Sequence, residues 1–236
     1  MLEIEALRYQ FPGGDSGNMQ FDLSVSAGEV LSLIGPSGSG KTTLLNLIGG
    51  FLKPDSGRIH VDGEAIEQLP PGQRPVTIVF QQHNLFPHLD LYTNVALGVN
   101  PSLKLSTEQN QCISDALDSL GLTGLEKRKP GELSGGQQQR IALARALVRE
   151  RKVLLLDEAF AALGPALREE LIGLVKTLVQ HKKIAALLVS HQPRDALIAS
   201  DRTAFVSDGR IIALQPTRQL LENPDLVEVR NYLGSL

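Results

Sequence analysis

The sequence predicts an α/β fold with a mostly parallel sheet, an N-terminal antiparallel β subdomain and an inserted helical subdomain. Three observations carry this. Continuous aliphatic runs such as "VLLL" at 153–156 and "IAALLV" at 184–189 suit strands buried on both faces, as parallel sheets require. Strand, glycine loop and helix follow one another at 30–49, and strand and helix alternate again after 150. Between these stretches, 83–149 reads as helices.

Taken in order, "LEIEALRY" and "MQFDLSVSAGE" alternate apolar and polar residues as half-buried strands do. "EVLSLIG" then runs into a helix, "GKTTLLNLIGG", for which Gly49 and Gly50 are natural stops. "GRIHVDGE" is a strand ending in a tight turn at Asp62-Gly63. In the helical stretch, Ser106 and Gln109 fit a capping box, and Ile113, Ala116, Leu117 and Leu120 form one apolar face. A helix near 165–180 places Leu167, Leu171, Leu174, Val175 and Leu178 on a single stripe. "TAFVSDGRIIAL" closes the series as a hairpin turning at Asp208-Gly209. The 236 residues are expected to form one domain, 1–236, with the helical subdomain 83–149 inserted in it.

Composition narrows the function. With 23 basic and 26 acidic residues the net charge is −3, so no nucleic-acid partner is expected. The one cysteine, Cys112, has no partner for an internal disulfide, which is consistent with a reducing compartment, and "QCISDAL" places it as a small packed hydrophobe. The start "MLEIEALRYQ" lacks the basic and apolar regions of a secretion signal. No stretch approaches the ~20 apolar residues of a membrane helix. Any membrane role therefore needs a partner that supplies the membrane part.

The run Gly35, Pro36, Ser37, Gly38, Ser39, Gly40, Lys41, Thr42 matches G-x-x-x-x-G-K-[ST] between a strand and a helix. In such a P-loop, glycines let backbone N–H groups curl around phosphate oxygens, a lysine neutralises the β and γ phosphates, and the threonine hydroxyl is a Mg²⁺ ligand. The chain has no N-K-x-D stretch for guanine, which counts against a GTPase. A second phosphate signal is Leu133, Ser134, Gly135, Gly136, Gln137, leading into another helix. Its chance occurrence is roughly one in several thousand at average composition, so a helix cap at Ser134 does not suffice to explain it. Third, "VLLL" delivers Asp157 and Glu158 to the carboxyl edge of the sheet, where α/β proteins bind ligands. Asp157 is expected to hold Mg²⁺ and Glu158 to polarise an attacking water.

With these motifs the chain resembles the ATP-binding cassette (ABC) ATPases over essentially its whole length. The resemblance implies a P-loop nucleotide-hydrolase core and a head-to-tail dimer with a second copy, two ATP molecules lying at its interface. Each ATP would be held by one chain's P-loop and the other chain's Leu133–Gln137 segment. It also implies that Thr43 lies near the α-phosphate, that Gln81 senses Mg²⁺ and the attacking water, that His191 sits near the γ-phosphate, and that Phe11, or the nearby Tyr9, stacks on adenine. His60, His83, His88 and His181 show no metal-ligand spacing. Two positions depart from the family pattern. Ala159 stands for a usual proline and Gly164 for a usual aspartate, so hydrolysis is expected to be slower or less coordinated, with ATP binding largely intact.

Within the family, the short spacing from Lys41 to Asp157 leaves no room for the long insertion of DNA-repair relatives. A transport subunit is the better reading. "GGFLKPDSGRIHVDG", "PPGQRPVTIVFQQHNLFPHL" and "NVALGVNPSLKLS" resemble the thiamine-importer branch. The implied partners are a transmembrane permease dimer and, indirectly, a periplasmic substrate-binding protein, and the implied place is the cytoplasmic face of a bacterial inner membrane. The alternatives are a non-transport ABC regulator and a weakly hydrolysing ATP-dependent clamp.

Overall fold

The computed structural model describes residues 1–13, 17–80, 84–161 and 163–234. Ten strands form one sheet: β1 Leu2–Tyr9, β2 Met19–Val25, β3 Val30–Ile34, β4 Ser56–Val61, β5 Glu64–Ala65, β6 Val76–Phe80, β7 Val153–Asp157, β8 Ala185–Val189, β9 Arg202–Ser207 and β10 Arg210–Pro216. Their order is β5-β4-β1-β2-β10-β9-β3-β8-β7-β6. The half from β9 to β6 is parallel throughout, whereas β5, β4, β1 and β2 pair antiparallel. Parallel core and antiparallel N-terminal region thus agree with the sequence reading, joined edge to edge by the short β2–β10 pairing.

Alternation along the central strands explains their unbroken aliphatic runs. Val153 and Leu155 of β7 face one apolar layer with Leu31 and Leu33. Leu154 and Leu156 face the other, which is built against helices. A strand covered on both faces has no polar side to present.

Helix α1, Lys41–Gly49, packs in the first layer and ends at Gly50, whose φ of 83° gives the left-handed cap that glycine adopts without penalty. Helices α2 Leu91–Val99, α3 Thr107–Ser119, α4 Gly135–Leu147 and α5 Pro165–Lys182 build the second layer. Ser106 and Gln109 form the expected capping box on α3, and Asp90 caps α2. On α5, Leu171 and Val175 are buried, with Leu167, Leu174 and Leu178 packed around them. Helices α6 Pro193–Ala199, α7 Thr217–Glu222 and α8 Val227–Gly234 enclose a small third cluster with Ile34 of β3 and Phe205 of β9. Among the described residues no helix is long and apolar enough to cross a membrane.

Register is what positions the site. Leu33 pairs with Val189, Val189 with Asp157 and Asp157 with Phe80, so four parallel strands end level. The residues that follow β3, β8 and β7, from Gly35, Ser190 and Glu158, therefore leave the sheet along one edge.

A nucleotide-sized cavity at the carboxyl edge of the sheet

Gly35 leaves β3 with φ 144°, and a Cβ there would lie 2.1 Å from the Val206 carbonyl oxygen, so only glycine lets the loop start against β9. Gly38 and Gly40 also have positive φ. Gly40 is the N-cap of α1 and supplies no side-chain cap, unlike the Asp90 and Ser134 caps elsewhere. The first-turn amides of α1 are thus left for an incoming anion. Ser39 accepts the amide of Gly209 at 2.9 Å through its carbonyl, tying the loop to the β9–β10 turn.

Lys41 is almost fully buried, its Nζ donating to the carbonyls of Gly35 and Pro36, both at 2.7 Å, and to Ser39 Oγ at 3.2 Å. Burial lowers its pKa, while the carboxylates of Glu158 and Asp157 pull it back up. Thr42 Oγ1 donates to Asp157 Oδ1 at 3.4 Å. Asp157 has its pKa raised by burial and then by the neighbouring Glu158, with Thr42, Lys41 and His191 opposing. A hydroxyl and one carboxylate suit Mg²⁺, which takes oxygen donors and keeps most of its shell for water and phosphate. Among the described residues no cluster of three or more His, Cys, Asp or Glu side chains that could hold a metal ion occurs.

Beyond Asp157 the chain turns sharply: Glu158 has φ 50° and donates its amide to the Val189 carbonyl at 3.1 Å. A non-glycine residue in this region is held there at a cost of about 1–2 kcal/mol, a strain typical of functional positions. His191 Nε2 lies 2.5 Å from Glu158 Oε1. Ala159 and Phe160 are buried immediately behind.

Phe11, Gly38, Lys41, Thr43, Glu158 and His191 line one cavity of about 620 Å³. Tyr9 is a buried core residue whose ring meets that of Phe11 edge-on, 5.0 Å between centroids, and of the two Phe11 lines the cavity. Gln81, expected at the same edge, lies outside the described residues.

The segment Leu133–Gln137 does not line this cavity. Ser134 caps α4, accepting from the Gln137 amide at 3.3 Å while Gln137 Oε1 accepts the Ser134 amide at 2.9 Å. A Cβ on Gly136 would meet Leu167 of α5 at 2.4 Å, whereas Gly135 faces open space. Gly164 caps α5 without a side chain and is likewise unobstructed.

Three polar groups near the site have no part in the motifs. Arg168 of α5 grips Asp195 of α6 through two bonds, Nε–Oδ1 at 2.7 Å and Nη2–Oδ2 at 2.5 Å, and Ser190 Oγ donates to the same Oδ2 at 2.5 Å. The Gln192 amide returns to Ser190 Oγ at 3.0 Å, fixing the chain on both sides of His191. One sequence signal was available: Arg168 shares the stripe of Leu171 and Val175, an odd place for a charge unless a buried partner waits.

A glycine-lined lysine loop beside a strand-end acid pair, with a separate capped Ser-Gly-Gly segment, defines a P-loop ATPase of the cassette type. The family model described as "ABC transporter" matches residues 19–161, and the chain belongs to that family. It is 45% identical to the thiamine import ATP-binding protein ThiQ of Photobacterium profundum, over 99% of this chain and 100% of that one. The protein of the same name from Brucella suis biovar 1 is 48% identical over 99% and 97% of the two chains, and that from Shigella flexneri serotype 5b is 50% identical over 86% and 88%. Among solved structures, a dimeric ATP-binding cassette in a post-hydrolysis state with ADP and phosphate superposes with TM-score 0.80 at 29% identity, covering 92% of this chain and 99% of the other. Another cassette in its ADP conformation gives TM-score 0.86 at 28% identity over 98% of each chain.

Proposed function

We propose that this chain is the ATP-binding subunit of a thiamine importer, hydrolysing ATP at the cytoplasmic face of the inner membrane to drive uptake through a separate permease. The observation that carries the ATPase reading is the convergence of Lys41, Thr42, Asp157, Glu158 and His191 on one sheet edge. The substrate rests on the relatives at 45–50% identity, because thiamine itself would not touch this subunit.

In this reading the P-loop amides and Lys41 hold the β and γ phosphates, and Phe11 packs on adenine. Thr42, Asp157 and Gln81 would hold Mg²⁺, which when bound neutralises phosphate charge. Glu158 takes up the role of orienting and polarising the water, and His191, hydrogen-bonded to Glu158, fixes its direction and faces the γ-phosphate. Leu133–Gln137 completes the site of a second copy, which accounts for a phosphate motif placed away from its own chain's cavity. The helical subdomain 83–149 and the groove after β6 carry the contact with the permease dimer, which a periplasmic substrate-binding protein loads. The γ-phosphate binds the closed dimer better than the open one and so biases the cycle.

The test is thiamine uptake into vesicles holding the permease and this subunit. Uptake that needs Mg-ATP inside and stops with Lys41→Ala supports the reading. Hydrolysis without association with any membrane permease points to a regulator instead, and ATP-driven dimerisation without phosphate release to a clamp.

A further inference from the structure

The matched family region stops at 161, and α8 lies well beyond it. This last helix nevertheless reaches the nucleotide site. Tyr232 is 9% exposed, its ring set edge-on to Phe205 of β9 at 5.4 Å between centroids, in the cluster that includes Ile34, Ala196, Leu220 and Val229. Its hydroxyl donates to the His191 carbonyl at 3.4 Å. Burial keeps the phenol protonated, so the donor function persists across the neutral range.

We propose that Tyr232 is a positioning residue for hydrolysis, its hydroxyl holding the backbone carbonyl of His191. The inference rests on the ATPase reading above. A Cβ at Gly35 would lie 2.1 Å from the Val206 carbonyl oxygen, so the start of the P-loop runs close against β9. The ring of Tyr232 packs on Phe205 of that same strand, in the cluster that holds Ile34, the residue before Gly35. The hydroxyl therefore references His191 to the strands that carry the phosphate-binding loop rather than to solvent. Ser190 and Asp195 hold the loop from the opposite side, so the imidazole can meet Glu158 at one distance only if both anchors stand. A displacement of a few tenths of an ångström at the His191 carbonyl passes directly to its ring. Catalytic geometry is sensitive to such shifts, whereas phosphate binding by many backbone amides is not.

The experiment uses the full-length protein and Mg-ATP, with Tyr232→Phe removing the hydroxyl while keeping the ring on Phe205, and Tyr232→Leu removing both. The Phe variant is expected to lower kcat about fivefold, the rate equivalent of one net hydrogen bond, with KM for ATP within about twofold and the melting temperature within about 2 °C of the parent. An unchanged kcat in the Phe variant, with loss only in the Leu variant, reduces the residue to packing and overturns the proposal. A raised KM at constant kcat also overturns it, since the hydroxyl then serves only nucleotide binding. A parent that hydrolyses no ATP removes the underlying ATPase reading as well, whereas a fully active parent matched by its Phe variant removes the positioning role alone.

Discussion

His191 Nε2 and Glu158 Oε1 stand 2.5 Å apart at the ends of two adjacent parallel strands. In the proposed hydrolysis the pair would act as a unit, one side chain aiming the other. Glu158→Gln is expected to lower the single-turnover rate of phosphate release by about 10²–10³-fold, the range for loss of a positioned base. ATP affinity should change little, because the P-loop amides and Lys41 remain. Adding His191→Ala to that variant should cost almost nothing further, as groups serving one step are not additive. Two losses that multiply would show that the residues work separately.

Asp157 carries a cost that the nucleotide-free protein does not recover. Its folded pKa is raised above the unfolded value of 3.8 by burial and by Glu158. The folded state then binds more protons than the unfolded chain just above pH 3.8, so stability falls as pH rises through that window and the full cost is present at neutral pH. Asp157→Asn should accordingly melt higher than the parent at pH 7 without nucleotide, with the gap narrowing as the pH is lowered toward 4. The same variant should lose most of the extra stabilisation that Mg²⁺ adds to ATP. Thermal melts across pH with and without Mg-ATP check both halves; a variant that melts lower at pH 7 contradicts the account.

The carboxyl-edge residues were legible from the sequence because each follows a short aliphatic strand, and register does the rest: Phe80, Asp157, Val189 and Leu33 end level. The capping box at Ser106 and the helix cap at Ser134 were legible because a few neighbouring residues determine them locally. The continuity of the sheet through β2 and β10 was not, since one short parallel pairing joins segments nearly two hundred residues apart. Neither was Tyr232, whose partner at the His191 carbonyl is remote in sequence and is a backbone group without a residue signature. Arg168 lay between these cases, its charge on an apolar stripe visible but its partner Asp195 not.

Gly135 separates a folding requirement from an assembly requirement. Among the described residues nothing meets a Cβ there, whereas a Cβ at Gly136 would be pressed by Leu167. Gly135→Ala should fold normally, with stability unchanged or raised by about 0.4–1 kcal/mol through the unfolded state. If this position approaches the nucleotide of a second copy, the added methyl should abolish ATP-driven dimerisation and cooperative hydrolysis while leaving ATP binding to the monomer intact. Sedimentation with and without ATP decides it, and a variant that dimerises like the parent removes Leu133–Gln137 from the interface.

Gly164 bears on the rate. It occupies the N-cap of α5 with φ −65° and ψ 155°, an ordinary backbone for aspartate, and has open space at the Cβ position. Aspartate there could accept a first-turn amide that now has no side-chain cap, and its charge would oppose the helix dipole favourably. Because glycine is itself a tolerable cap, Gly164→Asp should stabilise the fold by only about 0.3–1 kcal/mol. The larger effect is expected in assembly. Arg168 donates its amide to the Gly164 carbonyl at 3.0 Å and carries Asp195 and Ser190 at its other end, so a contact made at 164 by a second copy would be felt beside His191. Steady-state hydrolysis against protein concentration should then rise faster and more steeply in the aspartate variant than in the parent. Curves of equal height and steepness would mean that the carboxylate is dispensable here and that Arg168 alone maintains the link.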